Sequence, residues 1–183
     1  MVLIEVECSC LLVIDIQKKL LEVIQDGDAI PRNAGVLMRA AGRLDVPILT
    51  SEQYPQGLGA TVDDIKKNFP TTSDLALTKM TFSCVADRDY MDRFLSLKRK
   101  HVVITGIEAH VCVLQTALQL NDKGYHCFVV ADAVASRTPQ NRMLALERMS
   151  NNGCEIVTTE MVLFEWLRQA GTDEFKELSK LVS

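Results

Sequence analysis

Aromatic residues make up only 5% of this chain, and histidine occurs three times, at 101, 110 and 126. So few imidazoles limit any histidine-built metal centre. The absence of an aromatic-basic stripe disfavours a nucleic-acid enzyme. Hydrophobic residues reach 48%, yet no run approaches the roughly 20 apolar residues that a membrane span needs. The six cysteines, at 8, 10, 84, 112, 127 and 154, lack the CxxC pairing of a zinc site. A chain of 183 residues can bury one sizeable core without disulfide staples. Cys8, Cys10, Cys127 and Cys154 therefore read as packed thiols. Internal repeats, low-complexity tracts and linkers are missing as well, so residues 1–183 are expected to form a single domain. The net charge is −4, which gives polyanions no welcome. The most basic cluster, Lys98-Arg99-Lys100-His101, reads as a solvated loop. Acids stand at Glu5 and Glu7 where a secretory signal carries base, so the expected location is cytoplasmic, with no membrane partner.

What the chain has is a succession of β-branched runs separated by helical patterns. Cys10–Ile16, Val46–Ser51, Leu75–Lys79, His101–Gly106, His126–Asp132 and Cys154–Thr158 read as strands. Helices are predicted from Pro31 to about Leu44, around Asp87–Leu97, from Val111 to about Lys123 before Gly124, and from Pro139 to Asn151. Gln53–Gly59, with one proline and two glycines, reads as a loop. Strands alternating with helices imply right-handed crossovers. The expected fold is α/β: a doubly wound, three-layer α/β/α sandwich with a mostly parallel sheet of about six strands. In such a sheet, ligands bind beyond the carboxyl ends of the strands. Asp15, Lys79, the Gly106–Cys112 turn and Asp132 all fall at such ends.

Cys112 stands where a strand gives way to a helix. Unpaired amides and the positive end of a helix dipole there favour thiolate and can stabilise an oxyanion. On spacing alone, a packed thiol explains Cys112 equally well. Asp15 can take a proton from sulfur or cap the helix that starts near Gln17. Lys79 can steer that acid or sit on the surface. Asp132 can bind substrate or cap the next segment.

Taken together, Asp15 after an apolar strand, Lys79 after a short one, and Gly106-x5-Cys112 followed by Gln115-Thr116-Ala117 resemble the isochorismatase-like cysteine hydrolases. That family includes nicotinamidases and N-carbamoylsarcosine amidohydrolases. The resemblance runs from about residue 10 to residue 168 and includes Ala131–Ser136 and Thr158–Leu167. It implies Asp15 as general base and later acid, Lys79 as its charge partner and Cys112 as nucleophile. It further implies a cis peptide between Ile107 and Glu108, and an oxyanion hole from the amides of Glu108 and Cys112. The substrate would be a small amide or related carbonyl compound, hydrolysed through a thioester.

The chain departs from nicotinamidases where they carry metal-binding residues after the second strand. Here that segment reads Ser51-Glu52-Gln53-Tyr54-Pro55-Gln56-Gly57-Leu58-Gly59, a poor set for a transition metal. It looks like a metal-free branch, and neither metal nor other cofactor is expected. Isochorismatases proper lack the cysteine. Gln53, Tyr54, Phe82 and His110 are candidates for substrate binding, Gln53 and Tyr54 being equally explained as turn residues. Cys84 reads as a packing residue. A catalytically idle scaffold is the alternative to an enzyme. The resemblance also implies a homo-oligomer, with Met161–Phe164 and Trp166-Leu167 as either contact surface or core.

Overall fold

Each β-branched run becomes a strand because its residues can be buried on both faces at once. In the computed structural model, which describes residues 2–25, 27–69 and 76–182, the strands are β1 (Ser9–Ile14), β2 (Ile48–Gln53), β3 (Leu77–Lys79), β4 (His101–Ile107), β5 (His126–Ala135) and β6 (Glu155–Val157). They form one six-stranded sheet in the order β3-β2-β1-β4-β5-β6. Every pairing is parallel. The sheet is thus wholly parallel, where sequence led us to expect mostly parallel.

The helices are α1 (Lys18–Leu21), α2 (Ala29–Arg43), α3 (Pro55–Leu58), α4 (Asp63–Lys66), α5 (Arg88–Ser96), α6 (Leu114–Asp122), α7 (Pro139–Asn151), α8 (Thr159–Leu167) and α9 (Asp173–Leu178). Alternation along β1 splits the core in two. Leu11 and Val13 pack with Ala34, Leu37 and Ala41 of α2 and with Leu163 and Trp166 of α8. Leu12 and Ile14 face the layer of Phe94 from α5, Leu120 from α6 and Met149 from α7. These are the outer layers of an α/β/α sandwich. No helix among the described residues is long and apolar enough to cross a membrane.

The chain winds outward from β1 to β3, then returns to lay β4 against the other side of β1. The crevice between the carboxyl ends of β1 and β4 is therefore the topological switch point. At that crevice the backbones approach closely. Gly106 has φ +128, and a Cβ there would lie 2.0 Å from the Ile14 carbonyl oxygen. Gly106→Ala is expected to destabilise the fold by about 3 kcal/mol or more, lowering Tm by roughly 10 °C. Thermal unfolding of the variant checks this; an unchanged Tm would show that the two strand ends can separate freely.

Several boundaries differ from the sequence expectation for identifiable reasons. Cys8 lies in a 3-10 turn, Val6–Cys8, and only Cys10 of that pair is in β1. Leu75 lies outside the described residues, and β3 begins at Leu77. The loop after β2 contains α3, with Pro55 in its first turn, where a missing donor costs nothing. Its Tyr54 takes φ +38, an outlier for so bulky a residue. The ring lies where a Gly57 side chain would be: a Cβ there would sit 2.2 Å from it.

β5 runs on to Ala135 because its register against β4 slips between Ile104 and Gly106. Asp132 is therefore inside the strand rather than at its end. Its Oδ1 accepts from the Thr159 backbone N (2.8 Å) and hydroxyl (3.0 Å), capping the start of α8. Val162, Leu163, Trp166 and Leu167 are core residues, while Met161 and Phe164 are exposed.

Candidate active site

Asp15 follows β1 with φ +52, a left-handed conformation that aspartate adopts more readily than most residues. Its amide donates to the Ser51 carbonyl (3.1 Å), and its own carbonyl accepts from Gln17 N (2.8 Å). The tight bend aims a wholly buried carboxylate into the switch-point crevice. Strained backbone of this kind collects at functional sites. Asp15 does not cap α1: Gln17 holds the cap position, without a side-chain cap bond.

Lys79 reaches the same carboxylate from the end of β3, where it pairs in register with Gln53. Its Nζ donates to Asp15 Oδ2 (2.7 Å), Gln53 Oε1 (2.7 Å), Phe82 O (3.0 Å) and Thr81 O (3.3 Å). Neither side chain of the Asp15–Lys79 pair is exposed. Burial alone pulls the Lys79 ammonium down, but the negative charge of Asp15, followed by the thiols of Cys112 and Cys84, holds it above its ordinary value. Lys79 is therefore a buried cation with its donors engaged, not a surface lysine.

Cys112 comes from the far side of the crevice. After β4 the Ile107–Glu108 peptide is cis, and Ala109–Val113 forms a π-helical turn before α6. The sequence pattern pointed to a plain α-helix from Val111; the wider turn arises because Val111 N and Val113 N both donate to the Glu108 carbonyl (3.0 and 3.3 Å). Such turns recur at functional sites. The Cys112 thiol lies within reach of the Asp15 charge. Burial first, then the Asp15 charge, pushes that thiol well above its ordinary range, with Lys79 pulling the other way. Desolvation and an adjacent anion thus work against the thiolate that a helix terminus favours.

Glu108 is buried, and Arg137 grips it. The Arg137 backbone N donates to Oε2 (2.8 Å), Nε to both oxygens, and Nη2 to Oε1 (2.7 Å). Burial raises the Glu108 carboxyl and the Arg137 bonds more than reverse it, so its net shift is downward.

The four residues considered for substrate contact fare differently. Gln53 is buried and occupied: Nε2 donates to Met80 O (2.9 Å) while Oε1 holds Lys79. Its amide contributes to the site by positioning Lys79. The Phe82 side chain is exposed, and it is the Phe82 carbonyl that meets Lys79. Tyr54 is exposed beside β3, its amide bonded to Lys79 O (3.0 Å). His110 turns to Ser136 Oγ (2.9 Å) and Asn141, with no bond to Cys112 in evidence. Cys84 is buried as expected.

Sequence reasoning missed Ser51, whose hydroxyl donates to Asp15 Oδ1 (2.8 Å). It also missed Gln17, which exchanges bonds with the backbone of Gln53 (2.8 and 3.0 Å). A polar residue at the carboxyl end of a buried strand is the signal that marks Ser51.

Some family members bind a metal after the second strand. Here Glu52 Oε1 is taken by the Thr61 amide (2.6 Å) and hydroxyl (2.7 Å), and Gln53 serves Lys79. Among the described residues no three His, Cys, Asp or Glu side chains cluster as a metal site. This donor set does not fit a metal, and no step below runs through one.

Known proteins agree with this architecture. A family model, the isochorismatase domain, matches residues 9–161. A secreted isochorismatase effector of Phytophthora sojae is 39% identical over 178 residues, spanning 95% of this chain and 84% of that protein. The structure of a MAR1 ribonuclease from Caenorhabditis elegans superposes with a TM-score of 0.91 at 34% identity, over 98% of this chain and 91% of its own. The YcaC gene product of Escherichia coli, an octameric hydrolase of unknown specificity, gives a TM-score of 0.91 at 23% identity, over 99% and 91%. At that identity the likeness speaks to fold alone. With the family model covering all six strands and the switch-point crevice, the chain belongs to the isochorismatase family.

Proposed function

We propose that this chain is a metal-independent cysteine hydrolase of a small amide or related carbonyl compound. The observation that carries the reading is the meeting of a thiol, a carboxylate and an ammonium, all buried, at the switch point. Lys79 holds and orients the Asp15 carboxylate. Asp15 takes the Cys112 proton as sulfur attacks the carbonyl carbon, which spares the site a free thiolate. The resulting oxyanion is held by the Glu108 and Cys112 amides, with Arg137 fixing Glu108 from outside. Collapse breaks the C–N bond, Asp15 returns the proton to the departing amine or ammonia, and a thioester remains. Water then attacks that thioester, giving its proton to Asp15 and releasing the acid, and the proton returns to sulfur.

A screen of small primary amides, read by ammonia release, tests the reading. At least one is expected to turn over with the native chain and not with Cys112→Ala. Turnover indifferent to Cys112 would remove the mechanism.

A second reading comes from the Caenorhabditis elegans relative, which is a ribonuclease by name. The chain's net charge of −4 offers little to a polyanion. RNA cleavage with binding that tightens as salt falls would establish it in place of the amide reading.

The proposed assembly is a homo-oligomer. Met143 and Leu144 on α7, and Met161 and Phe164 on α8, are exposed apolar side chains of the sort that subunit contacts cover. Light scattering of the purified chain should give a mass that is a multiple of 20.4 kDa; a monomer would refute it.

A further inference from the structure

Asp15 is gripped from several sides, and among its described neighbours Lys79 alone is charged. Lys79 (β3) takes Oδ2 and Ser51 (β2) takes Oδ1. The Cys112 thiol of the π turn, Cys84 in the turn after β3, and Tyr90 of α5 all feel its charge. Gln53 acts on it only through Lys79. Apart from Lys79, these neighbours are neutral donors or weak acids.

Their donors run one way. Cys84 Sγ donates to Ser51 Oγ (3.7 Å), and Ser51 Oγ donates to Asp15 Oδ1 (2.8 Å). An ionised carboxylate can only accept, so the direction of the chain is imposed by the charge at its end. Burial, with the Asp15 charge behind it, pushes the Cys84 thiol up to about 11, which keeps its S–H available as a donor. The far end is anchored too: Cys84 N donates to Thr116 Oγ1 (3.0 Å), on the helix that follows Cys112. Tyr90, also buried, abuts Cys84 without a well-formed hydrogen bond of its own. The pairing of β2 with β1 and β3 uses backbone groups, so the sheet does not need the Ser51 hydroxyl.

We propose that Ser51, backed by Cys84, is a positioning residue that fixes the plane of the Asp15 carboxylate relative to the Cys112 thiol. The inference rests on the cysteine-hydrolase reading. With Lys79 on Oδ2 and Ser51 on Oδ1 the carboxylate is held at both oxygens, and withdrawing one donor lets it turn, which costs rate rather than substrate affinity.

The test is ammonia release from a primary amide that the native chain hydrolyses, with kcat and KM measured separately. Ser51→Ala should lower kcat about tenfold with KM little changed. Ser51→Thr should recover the rate, and Cys84→Ala should lose less. A native kcat in Ser51→Ala overturns the proposal, as would equal losses in the alanine and threonine variants. Should Ser51→Ala fail to fold, a native kcat in Cys84→Ala overturns it. Cys112→Ala separates the two levels. If the native chain releases no ammonia from any amide, or Cys112→Ala turns over the same amide, the hydrolase reading falls and Ser51 with it. If Cys112→Ala is inactive while Ser51→Ala keeps the native kcat, only the role of Ser51 falls.

Discussion

A Cys112→Ala variant should keep its fold and lose turnover by about 10^4-fold or more, the scale on which removal of a covalent nucleophile is felt. The two halves of this expectation have separate causes. Structurally the change deletes one sulfur from a buried site, which costs on the order of 1 kcal/mol. The π turn is held by backbone bonds and the Glu108 side chain by Arg137, none of which involves the thiol. Chemically no other group stands in. Cys84 is buried beside Ser51, and His110 is turned to Ser136. Circular dichroism reads the first half and ammonia release from a hydrolysed amide the second. Native-like turnover by a folded variant would leave the crevice without its nucleophile. Global unfolding would mean that Cys112 serves packing more than chemistry.

Lys79→Met should be the most destabilising change at the site, costing about 3–5 kcal/mol, because it strands the Asp15 carboxylate in a dry interior. Methionine preserves most of the stem, so the loss belongs to the charge. The Lys79→Met, Asp15→Asn double variant should recover much of that stability and none of the activity, since a neutral pair has no charge to leave uncompensated. Urea unfolding of the two singles and the double measures the coupling; additive losses would mean the ion pair is not the cause. The pH dependence has a definite sign. The folded state raises the Lys79 ammonium above its ordinary 10.5, so the contribution is fully present at neutral pH. It is lost only as pH climbs past 10.5 through the raised folded value.

Much of this was legible in the order of residues. Six runs read as strands correspond to the six strands of the sheet, because a strand covered on both faces must be apolar at every position. The helix Pro139–Asn151 has the bounds its proline and glycine signals imply. Other elements were not legible. The π turn around Cys112 depends on two amides sharing the Glu108 carbonyl, which leaves no periodic trace. The extension of β5 past Asp132 follows from a register slip against β4, a property of two segments rather than one. For Gln53 the sequence announced a polar residue near the site but not its direction; the structure turns it inward, onto Lys79.

The chain's own sequence determined the alternation of strands and helices, hence a doubly wound parallel sheet. It also placed Asp15, Lys79 and Cys112 at strand ends, through local patterning that needs no knowledge of distant contacts. Only the tertiary structure decided which strand ends are neighbours. It set Ser51 against Asp15, occupied Gln53 with Lys79, and turned His110 away from the thiol. It also set the surroundings of the Cys112 thiol. The sequence offers a cysteine at the head of a helical segment, where a dipole favours thiolate. Burial beside a carboxylate works against that preference, because a second desolvated negative charge in the crevice is costly.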